Sequence, residues 1–116
     1  MPKILIMDDE DGLRQIYARY LGADGFQVLE ASDDEKVLQE LRDENFDAIL
    51  LDIRMPMADG PSLIPTLRHY HPHAKIIISS CYDLAVQKKM ITNVEGYFNK
   101  TEGCRALSLK VKEVLC

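Results

Sequence analysis

Two hydrophobic periods alternate along the chain. Lys3-Ile4-Leu5-Ile6-Met7 is a short apolar run without polar alternation, as expected of a strand buried on both faces. Leu13, Ile16, Tyr17, Tyr20 and Leu21 then recur at helical spacing, and Gly22 and Gly25 are expected to stop them. Phe26 to Ala31 predicts a second strand. Ser32-Asp33-Asp34-Glu35 is a capping-box signature, in which the hydroxyl and the Glu35 carboxylate each satisfy an orphan amide of the first turn. The helix it opens carries Val37, Leu38 and Leu41. Ala48-Ile49-Leu50-Leu51 predicts a third buried strand that ends at Asp52. The loop Ile53-Arg54-Met55-Pro56-Met57-Ala58-Asp59-Gly60 follows. Pro61 should open a helix to about Tyr70, with Pro65 loosening its first turns. Lys75 to Ile78 predicts a fourth strand ending at Ser79-Ser80, Asp83 to about Thr92 a short polar helix, and Gly96 to Asn99 a fifth strand ending at Lys100. Leu107, Val111, Val114 and Leu115 mark the last helix.

Five strands alternating with five helices imply βαβ units with right-handed crossovers. The expected fold is therefore α/β, a single doubly wound (βα)5 three-layer sandwich around a parallel sheet. Length agrees with this: 116 residues make one domain, expected over residues 1–116, with little room for a second.

Composition narrows the function. With 47% hydrophobic and 28% charged residues, the chain is an ordinary globular protein. A net charge of -5, with no basic run to offset it, argues against direct nucleic-acid binding. No apolar stretch approaches membrane-spanning length, and Met1-Pro2-Lys3 leads straight into a strand rather than a signal peptide, so a cytoplasmic location is expected. Cys81, Cys104 and Cys116 are widely spaced, with no C-x-x-C pair, which suits reduced thiols better than a zinc site or a disulfide framework.

The chemistry lies at the strand ends. In open α/β sheets ligands bind beyond the carboxyl ends of the strands. The residues there are Asp8 and Asp9, Asp52, Ser80 and Lys100: three carboxylates, a hydroxyl and an ammonium on one rim. Clustered carboxylates repel unless a cation joins them, and hard oxygen donors beside phosphate favour Mg²⁺. With the metal in place Asp52 stays ionised and can act as a nucleophile toward a phosphoryl group, giving an aspartyl phosphate. Lys100 would pair with a phosphoryl oxygen and the Ser80 hydroxyl would bond another.

On these residues the chain resembles the response-regulator receiver domains of two-component signalling, over essentially its whole length. Asp8-Asp9 is similar to the family's metal-binding acids, Asp52 to its phosphoacceptor, and Met55-Pro56-Met57-Ala58-Asp59-Gly60 to its loop Met-Pro-x-Met-Asp-Gly. Ser80 matches the family's switch Ser/Thr, Tyr97 its switch aromatic and Lys100 its essential lysine. The resemblance implies a flavodoxin-like sheet of order 2-1-3-4-5. It also implies direct metal ligation by Asp9, Asp52 and the backbone carbonyl of Arg54, with Asp8 acting through water. The implied donor is a sensor histidine kinase or a histidine phosphotransfer protein. The implied output is a remodelled surface of helix four, strand five and helix five, as Ser80 moves toward the phosphoryl group and Tyr97 turns inward. That leaves the downstream target or output domain open, with room for a phosphorylation-dependent homodimer. "Enzyme" fits such a domain only loosely, because it catalyses its own phosphorylation and slow dephosphorylation.

The chain departs from the family at Thr101, where proline usually follows the lysine; a trans or rearranged loop is expected there, because a cis Lys-Thr bond would cost about 3 kcal/mol. Cys81, read as a small buried residue, stands close to the phosphoryl path, and Arg54 and Tyr82 stand where the family tunes phosphoryl lifetime. Asp11 is better read as a helix-start acid. His69, His71 and His73 read as a solvated helix end, since Pro72 breaks any metal-binding spacing. Two other functions remain open. A phosphatase of the haloacid-dehalogenase type would use Asp9 as nucleophile, but leaves Asp52 and the Met55–Gly60 loop unexplained. An interaction module of the same fold would accept no phosphate.

Overall fold

The computed structural model describes residues 1–31, 41–53 and 63–116. Five parallel strands, β1 (Lys3–Met7), β2 (Gln27–Ala31), β3 (Ala48–Asp52), β4 (Lys75–Ser80) and β5 (Gly96–Asn99), form one sheet in the order β2-β1-β3-β4-β5. Four helices are described: α1 (Asp11–Ala23), α2 (Ile64–Tyr70), α3 (Leu84–Met90) and α4 (Cys104–Leu115). The helix expected from Ser32 and the helix start at Pro61 lie outside the described residues.

The strands are uniformly apolar because both faces of the sheet are covered. Leu5, Met7, Ile49, Leu51, Ile76 and Ile78 point to one face, where Ile64 and Leu67 of α2 and Ile91 after α3 pack on them. Ile4, Ile6, Ala48, Leu50, Ile77 and Phe98 point to the other, under Tyr17 and Leu21 of α1 and Leu107 and Val111 of α4. Period-two alternation thus splits the core into two layers.

One expectation about a helix end changes. α1 runs through Gly22 and stops at Gly25, whose φ of +102° lies in the left-handed region. The Phe26 amide donates to Leu21 and the Gly25 amide to Gly22, so the turn itself satisfies the last carbonyls. Pro65 stands in the first turn of α2 as described, Ile64–Tyr70, where an amide hydrogen has no helical partner to lose.

The strand ends build the rim. The Asp8 amide donates to the Ala31 carbonyl at 3.0 Å, carrying the β1–β2 ladder one residue past β1. Asp52 closes β3 opposite Ser79 of β4. Lys100 opens a single 3-10 turn, Lys100–Glu102, directly after β5.

Candidate functional site

The acids on the rim differ in exposure. Asp8 is 2% exposed and Asp52 4%, whereas Asp9 faces solvent. The Asp8 Oδ1 accepts from the Glu10 amide at 2.9 Å, and its carbonyl accepts from the Arg14 guanidinium at 2.6 Å. Arg14 also pairs with Asp11 at 2.8 Å and with Glu30 at 3.1 Å, tying the start of α1 to the end of β2. The sequence reading did not single out Arg14; its only signal was a cation three residues after Asp11.

Lys100 reaches into the cluster from β5. Its Nζ stands 2.6 Å from Asp52 Oδ1 and 3.0 Å from Asp8 Oδ2. Burial alone would pull the ammonium down, but the hydrogen bond and charge of Asp52, then those of Asp8, hold it above its ordinary value. Burial pushes the Asp52 carboxyl up to about 6, against the opposing pull of Lys100 and with a smaller push from Asp8. The carboxylate is therefore mostly ionised at neutral pH.

One oxygen from each of Asp8, Asp9 and Asp52 lies within 4.8 Å of the others. Among the described residues the three carboxylates stand beside the Lys100 ammonium, and all the donors are hard oxygens. That donor set fits a small divalent cation such as Mg²⁺. Arg54, whose carbonyl was expected to join, lies outside the described residues, as does the Met55–Gly60 loop.

Ser80 and Tyr97 belong to the other side of the sheet. Ser80 is buried, and its Oγ accepts from the Tyr82 amide at 3.2 Å. Tyr97 is half-buried against the core layer below α2 and α3, and its hydroxyl donates to the Ile91 carbonyl. Lys88 Nζ stands 6.0 Å from the Tyr97 ring centre.

The loop after Lys100 is tied by Asn99. Asn99 Oδ1 accepts from the Thr101 amide at 3.0 Å and from its hydroxyl at 2.7 Å. A proline could not supply that amide.

Two side chains differ from the sequence reading, and a third adds to it. His69 and His73 are exposed, but His71 is buried against Phe46, ring centres 5.1 Å apart; burial holds its imidazole below the ordinary value. Cys81 is exposed rather than buried, because it follows β4 and leaves the sheet. Tyr17, expected in the core, also carries a buried hydroxyl with no hydrogen-bond partner, and desolvation pushes it to about 12.

Comparison with known proteins places this geometry. The chain is 32% identical over 120 residues to the transcriptional regulatory protein SrrA of Staphylococcus aureus, covering 97% of this chain and 47% of that protein. It spans less than half the length of the curated relatives it matches. The response regulator TrrA of Thermotoga maritima, solved in complex with Mg²⁺ and BeF, superposes with a TM-score of 0.79 at 27% identity, covering 99% of this chain and 100% of that one. The structure of the histidine kinase ThkA in complex with TrrA matches at 28% identity and a TM-score of 0.77 over the whole of both chains. A response regulator from Burkholderia pseudomallei, solved with a phosphorylated aspartic acid, calcium ion and citrate, matches at 25% identity and a TM-score of 0.78, covering 95% of this chain and 66% of that one. The family model of the response regulator receiver domain matches residues 4–112, and the chain belongs to that family.

Proposed function

We propose that the domain, residues 1–116, accepts a phosphoryl group on Asp52 from a phosphohistidine donor. The observation that carries this reading is the convergence of Asp8, Asp9 and Asp52 around Lys100 at the ends of three strands. Asp52 is the favoured nucleophile over Asp9 because it is buried, held in β3 and paired with Lys100, whereas Asp9 is exposed. An ionised Asp52 oxygen attacks phosphorus, a P–O bond forms, the P–N bond to the donor imidazole breaks, and the imidazole takes up a proton. Lys100 pairs with a phosphoryl oxygen as the negative charge arrives, and the Ser80 hydroxyl bonds another. A divalent cation held by Asp8, Asp9, Asp52 and the Arg54 carbonyl would neutralise charge on the transferring oxygens.

Movement of Ser80 toward the phosphoryl group would free space for Tyr97 and shift the surface around α3, β5 and α4 between two states. The kinase complex of TrrA supports a histidine kinase or phosphotransfer protein as donor. No helix among the described residues is long and apolar enough to cross a membrane, which accords with action in the cytoplasm. The output partner, a phosphorylation-dependent homodimer included, would read the α3–β5–α4 face.

The test is intact mass after incubation with acetyl phosphate, with and without Mg²⁺, for wild type, Asp52→Asn and Asp9→Asn. One added phosphate that requires Mg²⁺ and disappears in Asp52→Asn is the expected result. Labelling that survives Asp52→Asn but is lost in Asp9→Asn moves the nucleophile to Asp9. An unlabelled wild type that also fails to bind beryllofluoride leaves a phosphate-independent interaction module.

A further inference from the structure

Helix α3 turns one polar side chain wholly inward. Gln87 is 0% exposed, in a helix whose other residues are half-buried or exposed. Its Nε2 meets three main-chain carbonyls: Tyr82 at 2.8 Å, Phe98 at 3.1 Å and Ser80 at 3.4 Å. These belong to the turn after β4, to β5 and to the last residue of β4. Three acceptors around one atom fix the amide orientation, because an oxygen in that place would face only oxygens. The Gln87 Oε1 is left buried without a partner, so the arrangement carries a desolvation cost that an aliphatic side chain would avoid.

Two N–H bonds cannot fully serve three carbonyls. The contacts to Tyr82 and Phe98 are the short ones and act as anchors; the contact to Ser80 is the longest and the weakest. Tyr82 closes the circuit, since its amide is the donor that holds Ser80 Oγ at 3.2 Å. Gln87 therefore fixes Tyr82 through its carbonyl, and Tyr82 fixes the Ser80 hydroxyl through its amide. The same Gln87 amide grips β5 at Phe98, between Tyr97 and the strand end that carries Lys100. Asp83 gives the short helix no side-chain cap, so Gln87 is its principal polar tie among the described residues.

We propose that Gln87 is a positioning residue for the Ser80 hydroxyl, setting where that hydroxyl meets a phosphoryl oxygen; this rests on the reading of Asp52 as the phosphoacceptor. The weak Ser80 contact lets the Ser80 carbonyl shift while the two anchors keep the turn and β5 braced together. Removing the amide frees the turn, and the hydroxyl then has to be ordered at the moment of binding. The cost falls on the phosphoryl group alone, because the metal is held by the acids and not by Ser80.

The experiment compares wild type with Gln87→Met, close in length but without donors, in two arms. In the ligand-free arm, NMR reads the Ser80 χ1 couplings and the exchange rate of the Tyr82 amide. The Met variant should show averaged χ1 and roughly tenfold faster exchange, the size of one lost hydrogen bond. In the ligand arm, affinity for Mg²⁺ alone should stay within about twofold while affinity for beryllofluoride with Mg²⁺ falls about fivefold to tenfold. An ordered χ1 with a protected Tyr82 amide in the Met variant overturns the proposal. So does a parallel loss of Mg²⁺ and beryllofluoride affinity, which marks a general loosening. A wild type that binds no beryllofluoride overturns the phosphoacceptor reading instead, and the ligand-free arm still decides whether Gln87 orders Ser80.

Discussion

Replacing Asp52 by asparagine should stabilise the metal-free fold at neutral pH. In the unfolded chain the carboxyl titrates near 3.8, and burial in the fold pushes it up to about 6. The folded state thus holds this proton more tightly than the unfolded state does. Stability from the group is present below about pH 4 and is lost as pH rises through about 6. At 1.36 kcal/mol for each tenfold difference in proton affinity, the ionised form costs at most about 3 kcal/mol at pH 7.5. Asparagine removes that cost, and the lost 2.6 Å ion pair with Lys100 is already inside the figure, because protonating Asp52 gives up the same pair. The expected gain at pH 7.5 is therefore about 2–3 kcal/mol. The chain has no tryptophan, so urea unfolding would be followed by circular dichroism, with a chelator present. Comparing the two proteins at one pH cancels every other carboxylate that titrates in the same window. The gap should shrink to about a third between pH 7.5 and pH 4.5. A variant less stable than wild type at pH 7.5 refutes the reasoning, because the ion pair would then outweigh the desolvation it offsets.

Other outcomes follow from the same contacts. Lys100→Met leaves Asp8 and Asp52 buried without a counter-ion and should cost about 3 kcal/mol in urea unfolding, much of it recovered by adding Asp52→Asn in the same chain. His71 is held neutral by burial, so unfolding takes up a proton and stability falls as pH drops below about 6.5; His71→Phe should narrow the loss of melting temperature between pH 7.5 and pH 5.5. A Cβ at Gly96 would stand 2.9 Å from Val114 Cγ2 and 3.4 Å from Ile77 Cγ1, so Gly96→Ala should destabilise by about 1–3 kcal/mol, with Val114→Ala restoring part of it in a denaturation series.

The strands were legible in the sequence because a parallel sheet covered on both faces demands unbroken apolar runs. Lys3–Met7 and Gly96–Asn99 match the expected bounds, and β4 ends at Ser79-Ser80 as expected, where pairing with β5 continues past the apolar stretch. The acids and the lysine were legible for a related reason: a charge directly after a buried strand must lie on the rim. What the sequence hid were long-range contacts. Gln87 looks like any polar residue of a short surface helix until β4 and β5 offer it three carbonyls. Arg14 looks like a partner of Asp11 alone until the Asp8 carbonyl and Glu30 come beside it. His71 looked solvated because it ends a helix, and only the packing of Phe46 buries it.

The alternation of side chains across β3, β4 and β5 makes the sheet a partition. Asp52 shares its side with Leu50 and the layer under α1 and α4, while Ser80 and Tyr97 share theirs with Ile78 and the layer under α2 and α3. Asp52 and the Ser80–Tyr97 pair thus stand on opposite sides of a wall of buried aliphatic residues, which ends where the strands end. Substitutions on the exposed face of α3 therefore leave the acids untouched, and substitutions among the acids leave α3 untouched. Among the described residues the two sides meet at the strand ends, from Ser79 to Tyr82 and from Phe98 to Thr101, so under the proposed function a change at Asp52 would reach α3 through them.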